Sequence, residues 1–311
     1  MAKTAFLFPG QGAQYVGMAR EFYEEYEESR RVFALASQAA GFSLEQLCFT
    51  ENDRINETPF TQPALLTACC AILSAAEKEG IHADAAAGLS LGEYCALTAA
   101  GSLSFTDAVK IVCKRGVYMH TAVPEGEGCM CAVLSRKPLP IEEICAETAG
   151  IVSLANDNCP GQQVITGEKE AVREAAERLL AAGAARTVML KVSGPFHSPM
   201  LKSAGEKLAS FLATVDIRRP ELLFVSNVTA KAENDPQALR KLLGRQVSSP
   251  VLWQQSMRCL IGEGVDTFIE IGPGKTLSNF MKKIDGSVKM YHIEKPEDLR
   301  AVLAELRTQS G

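Results

Sequence analysis

Apolar and polar residues follow two different rhythms along the chain, and the change of rhythm divides it. The run "TAFLF" stops at Pro9 and predicts a short buried strand. Over 21–39, "EFYEEYEESRRVFALASQA" brings Phe22, Tyr26, Phe33 and Ala36 round at helical spacing. Acids come first and arginines later, so the pattern predicts one amphipathic helix matched to its dipole. "QPALLTACCAILSAAEKEG" predicts a helix with Pro63 in its first turn and Gly80 past its end. Its apolar stretch is too short to span a bilayer. "ADAAAG" predicts a weak strand, "LGEYCALTAAG" a helix stopped by Gly101, and "FTDAVKIVCKRGVYMHTAV" another helix.

From residue 129 to 192 the rhythm shortens. "CMCAVLS" reads as a strand and "PIEEICAETA" as a helix. "IVSLAN" and "QVITG" read as strands joined by a turn-rich linker, "DNCPGQ". "EKEAVREAAERLLAAG" is a helix closed by Gly183, and "RTVMLKV" a last strand. That β-α-β-β-α-β order predicts a ferredoxin-like module inserted into a larger α/β body. Beyond it come the loop "SGPFHSPM", a long helix, the strand "LLFVSNV", a helix from about residue 235, the strand "DTFIEIG" and a helix in "GPGKTLSNFMKKI". Alternating strands and helices predict a mostly parallel sheet in the body. The expected fold class is therefore α/β, with a large domain over 1–125 and 193–311 and a small inserted domain over 126–192.

Composition narrows the function. The 311 residues are 47% hydrophobic and 22% charged, ordinary for a globular chain. A formal charge of −5 argues against nucleic acid, which calls for a basic face. The N-terminus reads as a strand entering a glycine loop and not as a signal peptide. Ten cysteines without a C-x-x-C pair then point to a reducing cytoplasm and to no metal site. "GPGKTL" lacks the full phosphate-loop spacing, which excludes nucleotide hydrolysis.

Candidate chemistry centres on "GLSLGEY" at 88–94, a G-x-S-x-G motif. Between a strand and a helix, this pattern places Ser90 at a sharp elbow, with Gly88 and Gly92 where side chains would collide. The next amide, at Leu91, can face an oxyanion at the helix start. The first loop, "FPGQGAQYVGM", can supply a second such amide, with Gln11 well placed. A serine nucleophile needs a base. Of the four histidines, His82, His120 and His292 lie in or beside helices or near the C-terminus. His197 alone sits in a loop directly after a strand, where open α/β sheets carry catalytic groups. By residue type, Asp107, Asp157 and Asp216 could each orient it, and so could a group that is not a carboxylate.

Arg115 falls inside the apolar stripe of its helix, formed by Ala108, Ile111, Val112, Tyr118, Met119 and Ala122. A buried arginine needs an anion. Near a nucleophilic serine it suggests bidentate capture of a substrate carboxylate, hence a dicarboxylic half-thioester or half-ester.

These residues sit among motifs that run the length of the chain: "FPGQGAQ", "TQPALL" at 61, "GLSLGEY", "KRGVYM" at 114 and "AVPEGEGCMCAVL" at 122. They continue with "NDNCPGQQVITG" at 156, "VSGPFHSPM" at 192, "RQVSSPVLW" at 245 and "EIGPGKTL" at 270. In that order they resemble the malonyl-CoA:acyl carrier protein transacylases of type II fatty acid synthesis. The resemblance implies that Ser90 carries the malonyl group, with His197 as general base and acid. It implies that Arg115 binds the malonyl carboxylate and that the amides of Gln11 and Leu91 form the oxyanion hole. The backbone carbonyl of Gln246 would orient His197. Phe196, before the histidine, accompanies malonyl selectivity in related polyketide acyltransferases. The expected partners are malonyl-CoA and an acyl carrier protein bearing phosphopantetheine, with no resident cofactor, no membrane and a monomeric enzyme.

One position departs from the family pattern: Leu89 stands where "GHSLGE" commonly has histidine. Leucine there also occurs in stand-alone acyltransferases that serve polyketide synthases, which is the alternative reading. A serine thioesterase built on Ser90 and His197 is a further one. An acidic carrier requires a basic patch on this negative protein, with Lys191, Arg218, Arg219, Lys282 and Lys283 as candidates.

Overall fold

The computed structural model describes residues 3–309 and contains two sheets. Nine strands supply them: β1 Lys3–Phe8, β2 Ala85–Gly88, β3 Gly128–Leu134, β4 Val152–Cys159, β5 Gln162–Glu168, β6 Arg186–Met189, β7 Leu223–Phe224, β8 Val265–Ile271 and β9 Lys289–Ile293. The larger sheet has the order β7-β2-β1-β8-β9, and every pairing in it is parallel. Its central strands are buried on both faces beneath helices, so they read as apolar runs without alternation. The smaller sheet, β4-β5-β3-β6, is antiparallel throughout. Helices Ile141–Glu147 and Lys169–Ala181 cover it, giving the ferredoxin-like order expected from the sequence.

Backbone bonds tie the smaller sheet to the body. Asn156 of β4 bridges Val251 of the body, with Asp157 N–H donating to Val251 at 2.9 Å and Val251 N–H donating to Ala155 at 2.8 Å. Gln255 adds a side-chain bond to Asp157 at 2.7 Å.

The structure redraws several local expectations. The helix expected over 21–39 breaks at Tyr26, which is extended, into Arg20–Glu25 and Glu27–Ala40. The helix expected to start near Pro63 begins earlier, as Thr58–Lys78. Pro59 therefore takes the first-turn place, and Pro63 lies inside the helix. At 21 residues this helix is long and apolar enough to cross a membrane, yet 83% of its apolar window is buried inside the protein. Most of "DNCPGQ" is strand, because β4 continues to Cys159 and only Pro160 and Gly161 turn. "LLFVSNV" shrinks to Leu223–Phe224, and the chain then turns and carries Asn227 under the elbow. Strand β6 ends at Met189, which leaves Lys191 in the loop that approaches the cleft.

Candidate active site

Strand β2 runs into helix Gly92–Ala99 through a turn with Ser90 at its apex. The turn is tight enough to dictate its glycines. A Cβ on Gly88 would lie 1.9 Å from the Gly92 backbone, and one on Gly92 would lie 2.2 Å from the Phe8 carbonyl. Ser90 itself has φ 54°, the left-handed region, at a cost of about 1–2 kcal/mol. Asn227 holds it there. Its Oδ1 accepts from Ser90 N–H at 2.7 Å, and its Nδ2 donates to the Gly88 carbonyl at 2.8 Å.

His197 is also left-handed, at φ 61°, and buried. Its Nε2 lies 2.7 Å from Ser90 Oγ and its Nδ1 lies 2.8 Å from the Gln246 carbonyl. A carbonyl can only accept, so Nδ1 carries the proton and Nε2 is free to take one from the serine. Burial first, and then the positive charge of Arg115, push this imidazole down to about 4, which keeps it neutral near pH 7. None of the three aspartates faces it. Asp107 accepts from Ser104 and Lys110, Asp157 from Gln163 and Gln255, and Asp216 from Arg218.

Arg115 is 1% exposed, and its Nη2 donates to Ser90 Oγ at 3.1 Å and to Gln246 Oε1 at 3.0 Å. Its guanidinium lies 5.6 Å from the centre of the Tyr94 ring. Its Nε has no partner in the protein among the described residues. A buried cation with a donor to spare, beside a nucleophile, suits an anionic substrate group.

Ser90, His197 and Arg115 open into a cleft of about 630 Å³ between the two sheets. Gln11, Leu89 and Phe196 line it from the body, and Met130, Asn158 and Val164 line it from the smaller sheet. The Gln11 loop touches the elbow: a Cβ on Gly10 would lie 2.6 Å from the Leu89 carbonyl. Gln11 Nε2 is anchored on Thr58 Oγ1 at 3.0 Å. Leu91 buries its side chain in the core and presents only backbone at the helix start. Of the basic candidates, Lys191 reaches the cleft, while Arg218 is paired with Asp216 at 2.8 Å.

Two residues at the site escape the sequence reading. Glu93 looks like an ordinary acid in a helix first turn, but it is buried beneath Ser90. It accepts from Asn227 N–H at 2.8 Å and from Gln246 Nε2. Asn227 lies 137 residues beyond Ser90, with no local signal to join them.

Comparison with known proteins agrees with this geometry. The family model described as acyl transferase domain matches residues 5–291. The malonyl CoA-acyl carrier protein transacylase of Bacillus subtilis (strain 168) is 42% identical, over 100% of this chain and 99% of the relative. The crystal structure of the enzyme so named from Clostridium perfringens superposes with a TM-score of 0.96 at 45% identity, covering 99% and 98% of the two chains. A malonyl-transacylase solved in complex with its type II PKS acyl-carrier protein superposes at 0.95 with 37% identity, covering 98% and 100%.

Proposed function

Since this chain belongs to the acyl transferase family, we propose that it moves a malonyl group from coenzyme A to acyl carrier protein by a ping-pong route through malonyl-Ser90. Ser90 Oγ attacks the thioester carbonyl while its proton passes to His197 Nε2. The amides of Gln11 and Leu91 receive the developing oxyanion. His197 returns the proton to the departing coenzyme A sulfur. The phosphopantetheine thiol of the carrier protein then repeats the attack on malonyl-Ser90, with the same histidine as base. Arg115 grips the malonyl carboxylate in both halves, and Phe196 and Leu89 bound the acyl pocket. In this reading residues 126–192 form the small domain that closes the cleft. The enzyme works as a monomer in the cytoplasm, needs no resident cofactor, and supplies fatty acid elongation.

The observation that carries this reading is the shared Ser90 Oγ: 2.7 Å from the neutral imidazole and 3.1 Å from a buried guanidinium. A thioesterase for apolar acyl chains has no use for that guanidinium. Intact mass after brief exposure to malonyl-CoA tests the reading. The expected result is an adduct of one malonyl group that is absent in Ser90→Ala and that transfers to added holo carrier protein. Steady release of coenzyme A without adduct or carrier would make the protein a hydrolase.

A further inference from the structure

Gln246 meets every part of the site. Its backbone carbonyl holds His197, its Oε1 accepts from Arg115, and its Nε2 donates to the Ser90 carbonyl at 2.9 Å and to Glu93. A side-chain amide has two ends of opposite character, and Gln246 works only with its oxygen toward Arg115. Its partners select that orientation: the Ser90 carbonyl takes one N–H, and the carboxylate of Glu93 takes the other.

We propose that Glu93 is a positioning residue for the carboxylate clamp: together with the Ser90 carbonyl it fixes the polarity of the Gln246 amide and so holds Arg115 where it meets an acidic acyl group. A carboxylate only accepts hydrogen bonds, so it can face only the N–H end of Gln246. The oxygen of the amide is then turned toward Arg115, and hydrogen bonds run in one direction from Arg115 through Gln246 to Glu93. Glu93 is placed for this by the elbow itself, three residues past Ser90, and by Asn227 N–H on its other oxygen. A glutamine at 93 cannot do the same. If its oxygen serves Asn227, its N–H₂ confronts the N–H₂ of Gln246, and flipping Gln246 would confront Arg115 instead.

The inference rests on Arg115 binding the malonyl carboxylate, and the test separates the two ideas. The ratio of kcat/KM for malonyl-CoA to that for acetyl-CoA is measured in the parent, Arg115→Ala and Glu93→Gln. Acetyl has no carboxylate, so the ratio reads the clamp alone. The loss of a charge-assisted hydrogen bond predicts a fall of about 10- to 100-fold in Glu93→Gln. In a Gln246→Met background the Glu93→Gln change has no further effect on the ratio, because the path is already cut.

The ratio also follows pH. Burial pushes the Glu93 carboxyl up to about 7, against the opposing hydrogen bonds and the charge of Arg115. Arg115 is the charged group facing it, while Gln246, Asn227 and Ser226 are neutral. Protonation turns one of the two accepting oxygens into a hydroxyl and removes the charge that assists the bond to Gln246, so the ratio falls as pH drops through about 7 in the parent and stays flat in Glu93→Gln. Should Glu93→Gln fail to fold, Gln246→Met alone must lower the ratio. An Arg115→Ala protein that keeps its malonyl preference overturns the clamp itself. Loss of preference in Arg115→Ala, with parental preference in Glu93→Gln or Gln246→Met, overturns the role of Glu93.

Discussion

Strands β2 and β4 both end at the cleft, and they serve it in different ways. Strand β2 is "AAAG", every residue buried, held between β7 and β1 in a parallel sheet. It offers no side chain to a substrate. Its contribution is a fixed backbone end from which the elbow throws Ser90 into a left-handed conformation. Strand β4 is longer, lies at the edge of the antiparallel sheet and is irregular in register, and Asn156 and Asn158 line the cleft as side chains. The parallel sheet supplies strained geometry and the antiparallel sheet supplies wall. A rigid, fully buried sheet can hold a costly backbone conformation, whereas an edge strand can be varied without disturbing the nucleophile.

That division is broken most severely from the body side. His197→Ala removes the base and lowers kcat by about 10⁴-fold or more, measured as transfer to carrier protein in a discontinuous assay. The wall side responds differently. Met130→Ala, on β3, costs about 2–4 kcal/mol of stability in a thermal melt. Its kcat/KM for malonyl transfer stays within about a hundredfold of the parent, the range expected for an altered apolar pocket. A loss as large as that of His197→Ala would erase the distinction between the two sheets.

The smallest effect is a shift in pH dependence. With acetyl-CoA as donor, transfer falls only as pH drops through the His197 value of about 4, well below the usual 6.5. Arg115→Ala removes one cause that lowers that value, so the falling limb moves up toward 6.5. An unmoved limb would mean that burial alone keeps the imidazole neutral.

Much of this arrangement was legible in the sequence because its signals are local. The glycines of "GLSLGEY" announce the elbow, and Arg115 betrays itself by standing in an apolar stripe. The spacing of the 126–192 region gives the order of its strands. Boundaries fared worse where tertiary packing overrode local chemistry. Pro160 and Gly161 made all of "DNCPGQ" look like loop, yet β4 stays paired with β5 as far as Cys159, through two irregularities in register. Pro63 looked like a helix start, but the helix is enclosed by the core and begins at Thr58. Gln246 came from the resemblance and not from its own surroundings in sequence. Glu93 and Asn227 gave no sign, since their partners lie 134 residues apart and an acid near a helix start is ordinarily solvated.

The order of the larger sheet has a consequence for the newly made chain. Strand β1 sits between β2 and β8, so Ala5 needs both Ala85 and Phe268 as neighbours. At a ribosomal pace of about 5–20 residues per second, the second neighbour emerges on the order of tens of seconds after the first strand. Through that interval "TAFLF" carries an open, apolar edge, the kind that invites pairing with another chain. Gln246 and β8 follow Ser90 by more than 150 residues, so neither the nucleophile's support nor the finished sheet exists until those residues have been made. The apolar edge of β1 is therefore exposed to pairing with other chains before the support of the nucleophile has been made.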